Sequence, residues 1–134
     1  MFRTLLISLC LTSTALANPW YVDDDGKAHF DNIQEAVDAA SDGDMIFVYP
    51  GTYTSTAAEV VNMLGKAVTL RSLYPNNPDV VAKTIIDGEG VRRGILCESG
   101  ETNKTIIEGF TITGGYADYG GGMRNGNDSI PTIN

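Results

Sequence analysis

Histidine and cysteine are scarce in this sequence, whose 134 residues include one histidine and two cysteines. We expect Cys10 to be removed with an N-terminal leader, which leaves Cys97 without a partner for an intrachain disulfide. Because no histidine or basic neighbour is nearby to lower its pKa, Cys97 is predicted to be a small buried apolar residue. The sequence also lacks a nucleophile elbow, a P-loop, a zinc-spaced Cys and His set and a dinucleotide-binding fingerprint.

Positive charge is scarce as well, with 9 Lys and Arg against 17 Asp and Glu and a formal net charge of -8. Loss of Arg3 with the leader lowers the basic count from 9 to 8 and the net charge from -8 to -9. Nucleic acids and anionic membranes are bound through basic patches, so neither is an expected partner. Polyanionic sugars are disfavoured for the same reason, unless calcium or a local basic cluster mediates the contact.

Apolar runs are too short to span a bilayer, which takes about 20 residues. Residues 5–11 instead resemble the apolar part of a secretory leader, since Arg3 precedes them and the small-x-small sequence of residues 15–17 follows. The sequence therefore predicts a signal peptide at residues 1–17, cleavage after Ala17, and a secreted or cell-surface protein. No membrane-spanning segment is expected in the mature part.

Residues 18–44 are predicted to form an N-terminal strand followed by a capping helix. Three aspartates and a glycine at residues 23–26 indicate a turn after the strand. Either Asp31 or Asn32 is suited to cap the helix, because both side chains accept hydrogen bonds from free backbone N–H groups. Apolar residues at helical spacing then predict a short amphipathic helix over about 33–40.

Residues 45–134 consist of short β-branched runs separated by Gly, Asn and Asp. No helical period occurs between these runs, a pattern typical of an all-β architecture with many short strands. The runs lie at residues 45–49, 67–70, 84–88, 94–97, 105–109 and 110–113.

An internal repeat distinguishes a solenoid from a sandwich or barrel. A shift of 26 residues aligns Cys97 with Met123 and Ile107 with Ile133. Such a period fits one coil of a three-sided parallel β-helix, in which equivalent strands stack about 4.8 Å apart. The capping helix is then expected to cover the open first coil and its strand edges. Since nothing closes the strand that begins near Asn134, we also expect a sequence truncated at its C-terminus.

Several segments resemble bacterial right-handed parallel β-helix proteins of the pectate-lyase-like superfamily, and the later ones are also similar to repeats of autotransporter-like surface proteins. The resemblance covers nearly all of residues 18–134 and implies an all-β fold, a three-sided solenoid with a short N-terminal capping α-helix. It implies little about chemistry, because this scaffold carries lyases, hydrolases, epimerases and adhesins. The segments lie at residues 20–24, 33–40, 43–53, 84–88, 107–115 and 120–123.

Calcium is the only cofactor that the sequence suggests, and no catalytic residue is identified. Asp23 and Asp25 belong to a cluster of carboxylates, which hard cations favour. Asp87 lies in a predicted strand. This chain resembles lyases in which carboxylates on one outer face of the solenoid bind calcium and a Lys or Arg acts as the base. The structural alternatives are a solvated turn for the first two and a charge that keeps a strand edge unpaired for the third.

Tyr116, Tyr119, Arg92 and Arg93 are candidates for contact with a carbohydrate. The tyrosines flank a glycine-rich loop, and aromatic faces suit the CH groups of sugars. The adjacent arginines are candidates for contact with an acidic sugar. The structural alternatives are a tyrosine pair that covers a turn and two solvated charges.

Two functions are compatible with these features. The first is an exported, non-enzymatic protein that binds glycans or other surfaces, because this acidic and repetitive sequence shows no compact catalytic set. The second is a calcium-dependent polysaccharide lyase, or a related glycoside hydrolase, with active coils beyond Asn134. Full-length sequence and activity on acidic polysaccharides with and without calcium distinguish the two.

Overall fold

The structure is a computed structural model that describes residues 16–134 of the chain. The predicted signal peptide therefore lies, apart from Leu16 and Ala17, outside the described residues. The described part is mostly β, with two short helices. Its strands are β1 (Pro19–Val22), β2 (Met45–Val48), β3 (Gly51–Tyr53), β4 (Glu59–Asn62), β5 (Thr69–Ser72), β6 (Thr84–Cys97), β7 (Ile106–Glu108), β8 (Thr111–Gly115), β9 (Met123–Asn125) and β10 (Thr132–Ile133), and its helices are α1 (Ile33–Ala39) and α2 (Pro78–Lys83).

Helix α1 forms where the capping residues and the apolar spacing predicted it. The side-chain oxygen of Asn32 accepts a hydrogen bond of 2.9 Å from the backbone N–H of Glu35, so Asn32 rather than Asp31 is the N-cap. The helix packs against β1, β2 and β4. Its buried side chains are those of Ile33, Ala36 and Val37.

Two side chains fix α1 against the rest of the fold. The Gln34 amide exchanges two hydrogen bonds, of 2.7 and 3.1 Å, with the backbone of Asn62 in the edge strand β4. The Lys66 ammonium donates to three carbonyl oxygens at the end of α1, at 2.7, 2.8 and 2.9 Å. Those carbonyls have no partner within the helix, and the helix dipole favours a cation beside them. Gln34 thus satisfies part of a strand edge, and Lys66 satisfies the helix end.

The first sheet contains five parallel strands in the order β1-β2-β5-β7-β10. Its strands stack in register, with Tyr21 opposite Phe47 and Phe47 opposite Arg71. Side chains alternate between the two faces of each strand. In β2, Ile46 and Val48 are therefore buried, while Met45 and Phe47 are partly exposed.

The second sheet is organised around β6, which extends over 14 residues. Strands β3, β4, β8 and β9 all pair with it in parallel. Glu89 and Gly90 have φ angles of 55° and 71°, and the pairing register with β8 shifts between Asp87 and Arg92. The backbone therefore bends within β6, which contains three more residues than β8 between these two pairs.

This arrangement shows that the expected fold class, a three-sided right-handed parallel β-helix with one capping helix, is wrong. The runs at 84–88 and 94–97 were predicted to be separate short strands. They belong to the single strand β6, and the described strands form two sheets. The Gly-Glu-Gly sequence at 88–90, which is typical of a turn, lies at this bend within β6. The prediction of short parallel strands is correct, and that of three faces is not.

The predicted repeat of 26 residues holds for only one of the strand pairs that it covers. In the first sheet, Ile133 of β10 lies opposite Ile107 of β7, as the alignment required. In the second sheet, Cys97 lies opposite Asn125, two residues beyond the Met123 that the alignment gave it. The intervening loops therefore differ in length between the two sheets.

A second helix, α2, was not predicted. It begins at Pro78, after Asn77 has accepted hydrogen bonds from the backbone N–H groups of Asp79 and Val80. None of its residues is buried, so its sequence has no apolar stripe from which a helix could be predicted. Within residues 16–134, neither α1 nor α2 has the length and apolar character needed to cross a membrane.

One hydrophobic cluster joins both sheets and α1. Each aliphatic side chain in it contributes about 1.5–3 kcal/mol by leaving water. The shared core packs against β6, which carries Asp87, Arg92 and Arg93. Its buried members in the sheets include Val22, Ile46, Val48, Tyr53, Val61, Leu70, Ile86, Ile95, Cys97 and Ile107.

Candidate functional site

Three of the four predicted carbohydrate contacts lie together in one groove. Tyr116 and Tyr119, in the loop between β8 and β9, line an open depression of about 400 Å³ with Arg93 of β6 and Arg124 of β9. The side chains of Tyr116 and Tyr119 are 66% and 77% exposed. We call this depression, which Asp118 also lines, the tyrosine groove.

Arg93 positions the loop that carries the tyrosines. Its guanidinium group donates hydrogen bonds of 3.1 Å to the carbonyl oxygens of Tyr119 and Gly120. The backbone N–H of Tyr116 donates to the carbonyl oxygen of Arg92 at 2.9 Å. Gly120 has a φ of 62°, a conformation that costs a residue with a side chain more than it costs glycine. The loop is thus tied to β6 at both tyrosines, while their rings stay in solvent.

Both arginines of the tyrosine groove already have carboxylate partners. Arg93 lies 3.9 Å from Glu59, the residue opposite it in β4. The Nε of Arg124 lies 2.6 Å from Glu98. Paired guanidinium groups keep some N–H donors free but present little net positive charge to a ligand. The tyrosine groove therefore combines aromatic rings with polar donors and acceptors.

Arg92, the fourth predicted contact, lies in a different groove. Neighbouring residues of a strand point to opposite sides, which separates Arg92 from Arg93. Arg92 forms an ion pair with Glu89 and donates from Nε to the carbonyl oxygen of Ala57 at 3.2 Å. Its groove, of about 600 Å³, is also lined by Glu35 and by a run of hydroxyl side chains at 54–56. The structure thus separates the two arginines that the sequence treats as one feature.

The acidic candidates lie at turns and in a strand. The predicted turn at 23–26 is present, with the Gly26 N–H donating to the carbonyl oxygen of Asp23 at 3.1 Å. Asp25 forms an ion pair with Lys27 at 2.9 Å, and this hydrogen-bonded partner lowers the pKa of Asp25. Asp87 accepts a hydrogen bond of 2.7 Å from the backbone N–H of Glu89. Calcium binding by Asp23, Asp25 and Asp87 stays a prediction.

Carboxylates beside the strands are paired with arginines. Glu89 pairs with Arg92, Glu98 with Arg124, and Glu108 with Arg71. Among residues 16–134, no group of three or more His, Cys, Asp or Glu side chains is arranged to hold a metal ion.

Two buried carboxylates escaped the sequence analysis. Asp44 is 4% exposed and accepts hydrogen bonds from the backbone N–H groups of Ser41 and Asn18, both at 2.9 Å, and from the Trp20 indole at 3.0 Å. The bond from Ser41, followed by that from Asn18, holds the pKa of Asp44 below its ordinary value. Its position after Gly43 at the end of a predicted helix was the available signal.

The second buried carboxylate is Glu101. It accepts hydrogen bonds from the N–H groups of Gly65 and Ser99, both at 2.9 Å, and from the Ser129 hydroxyl at 2.6 Å. Burial alone raises the pKa of Glu101, but the bond from Ser129 and the backbone bonds outweigh it and lower the pKa overall. Three separate loops thus meet at one carboxylate, a role that no local sequence pattern reveals.

Cys97 lies in the hydrophobic core, as predicted. Burial, with a smaller effect of the Glu101 charge, raises the pKa of Cys97 to about 12. The thiol is therefore protonated at neutral pH and enclosed, which makes it a poor nucleophile.

No family model matches this chain, and no curated protein and no solved structure matches it either. The resemblance of its sequence to pectate-lyase-like proteins stays a prediction. The function is therefore inferred from the tyrosine groove itself.

Proposed function

We propose that this chain belongs to an exported protein that acts at the cell surface or outside the cell and binds glycans in the tyrosine groove. The observation that carries this proposal is the exposure of Tyr116 and Tyr119, which line one groove. Large aromatic side chains bury 150–250 Å² on average when they contact a partner, so two exposed rings in one depression are a substantial reserve of binding surface.

The chemistry of the groove suits a sugar. The faces of tyrosine rings pack against the CH groups of a pyranose, and their hydroxyl groups add hydrogen bonds at the ring edge. Asp118 supplies an acceptor and Arg124 supplies donors for sugar hydroxyl groups. Small-molecule sites combine an apolar surface with a few polar groups that fix orientation, and this groove has that composition.

Charge favours a neutral glycan over an acidic one. Arg93 and Arg124 are paired with Glu59 and Glu98, so neither brings an uncompensated positive charge to the groove. The whole chain has a formal net charge of -8, which repels polyanions at long range. We therefore expect neutral hexose polymers to bind more tightly than uronate polymers.

Export is supported by the leader-like residues 1–17. Arg3, the apolar run at 5–11 and the small residues at 15 and 17 occur in the order of a secretory signal. A surface or extracellular location would also bring the tyrosine groove into contact with glycans.

Titration of the mature chain with soluble neutral and acidic polysaccharides tests the proposal. We expect Tyr116→Ala and Tyr119→Ala each to weaken binding of the preferred neutral glycan by about tenfold, because each removes a stacking surface worth about 1–1.5 kcal/mol. Tyr74→Ala is the matched control, since Tyr74 is 60% exposed and lines a different depression. Equal affinities for all three variants and the unmodified chain would contradict a role of the tyrosine groove.

The same mixtures test the non-enzymatic part of the proposal. Incubation of the full-length protein with acidic polysaccharides and calcium is expected to yield no unsaturated product. A product that absorbs in the ultraviolet, and that disappears when calcium is chelated, would show lyase activity and overturn this part.

A further inference from the structure

We propose that hydrolysis of the Ala17–Asn18 peptide bond creates an α-ammonium group on Asn18 that forms an ion pair with the buried carboxylate of Asp44. Leader removal would then add an interaction to the mature fold as well as release the chain. The inference rests on the export part of the proposed function and is independent of glycan binding.

Among residues 16–134, backbone hydrogen bonding begins at Asn18, directly after the predicted cleavage position. Asn18 is held through both of its backbone groups, since its N–H donates to Asp44 at 2.9 Å and its carbonyl oxygen accepts from Met45 at 3.2 Å. Leu16, two residues earlier, is 84% exposed, and Ala17 is also exposed. A peptidase thus finds an accessible bond directly before the first described residue that hydrogen bonds hold in place.

The carboxylate that receives Asn18 is already arranged for a cation. Its second oxygen accepts the Trp20 indole N–H at 3.0 Å and the Ser41 N–H at 2.9 Å, which fixes its orientation. These bonds and the positive charge of Lys66 favour the ionised form, so the pKa of Asp44 is lowered. The side chain of Asp44 is 4% exposed, and among the described residues no Lys, Arg or His side chain forms an ion pair with it.

Hydrolysis changes this contact without moving it. The oxygen of one water molecule joins the Ala17 carbonyl carbon, and both of its protons end on the Asn18 nitrogen. Ala17 leaves as a carboxylate, and Asn18 carries an ammonium group with three N–H donors. One of these replaces the amide N–H that lies 2.9 Å from Asp44. A charge-assisted hydrogen bond of this kind is about twice as strong as a neutral one.

Two forms of the chain from Asn18 to Asn134 test the ion pair directly. One has a free α-amine and the other is N-acetylated, so the second keeps a single N–H donor but carries no charge. We expect the free form to unfold in urea with an equilibrium constant about fivefold smaller at pH 7. Equal unfolding constants for the two forms would overturn the proposal.

The variant Asp44→Asn identifies the partner of the α-amine. In an acidic chain any added positive charge has a general effect, but only the specific pair depends on Asp44. We expect the difference between the free and acetylated forms to vanish in Asp44→Asn and to persist in the control Asp38→Asn, at an exposed position. A difference that persists in Asp44→Asn would contradict the pairing. If Asp44→Asn does not fold, the free and acetylated forms of the unmodified chain and of Asp38→Asn still test the proposal. Equal unfolding constants for the two forms would overturn it.

N-terminal sequencing of the protein secreted from the full-length gene tests the processing step. A first residue of Asn18 supports the proposal, and any other first residue overturns it. A chain that keeps residues 1–17 would also contradict export. A chain that begins at Asn18 but does not bind glycans would contradict only the proposed role of the tyrosine groove.

Discussion

The two ends of the described fold use their side chains in opposite ways. At the N-terminal end, Gln34, Asp44 and Lys66 direct their polar atoms into the protein, where they satisfy a strand edge, a turn and a helix end. At the C-terminal end, Tyr116 and Tyr119 direct large rings into solvent. The first arrangement uses its polar groups within the fold, and the second leaves its aromatic rings available to a ligand.

This contrast shows how a fold separates residues that stabilise from residues that remain available. A polar group whose hydrogen bonds are all made inside the protein must break some of them to bind a ligand, and this costs free energy. Rings that the core does not need are free of that cost. The best candidates for function are therefore at the C-terminal end. The following predictions test this division by comparing how substitutions at the two ends change the free energy of unfolding.

The largest difference is expected between two isoleucines. Ile46→Ala, in the core of β2, is expected to lower the free energy of unfolding by about 2–5 kcal/mol, because it leaves a cavity between the sheets. Ile130→Ala, at the exposed C-terminal end, is expected to change it by less than about 0.5 kcal/mol. Urea denaturation of both variants measures the effects, and equal losses would contradict the division.

Lys66→Met is expected to have the next largest effect. It keeps the apolar stem but removes three hydrogen bonds to carbonyl oxygens at the end of α1, at a cost of about 2 kcal/mol. Lys104→Met, at an exposed position, is the control and is expected to be neutral. A loss for Lys104→Met as large as that for Lys66→Met would mean that total charge, rather than the helix end, determines stability.

Acid sensitivity is expected to depend on Asp44 and Glu101, whose pKa values are lowered in the fold. Such groups stabilise the fold above their unfolded pKa values, about 4, and this stabilisation is lost as the pH falls through the lower folded values. The free energy of unfolding should thus be nearly constant between about pH 5 and 7 and decrease below about pH 4.

Glu101→Gln should make that decrease shallower and cost about 1–3 kcal/mol at pH 7, since an amide replaces an acceptor of three hydrogen bonds. Glu35→Gln, on the exposed side of α1, is the matched control and should leave the profile unchanged. An unaltered acid profile in Glu101→Gln would show that Glu101 does not contribute to it.

The elements that the sequence predicted correctly are those defined by local patterns. Asn32 and the apolar residues that follow it mark α1 because capping and helical spacing act within a few residues. The run at 45–49 corresponds to β2, and that at 105–109 to β7. Helix α2 escaped because its signal is only an N-cap at Asn77 and Pro78, with no buried side chain.

The errors concern relations between distant segments. Whether residues 88–94 turn or continue depends on the strands that pair with β6, and no local rule contains that information. The pairing of Cys97 with Asn125, rather than Met123, likewise depends on the loop between β8 and β9. For the candidate site, the exposed tyrosines were recognised from a glycine-rich loop. Arg124 was missed because nothing in the sequence connects it to Tyr116.

The most direct test of the central claim is glycan titration of the double variant Tyr116→Ala/Tyr119→Ala. Both rings are exposed, so we expect the free energy of unfolding to change by less than about 0.5 kcal/mol. Binding of the preferred neutral glycan should fall by about a hundredfold, while Tyr74→Ala keeps full affinity. Undiminished binding by a folded double variant would contradict the proposal that the C-terminal end of this fold is its binding end.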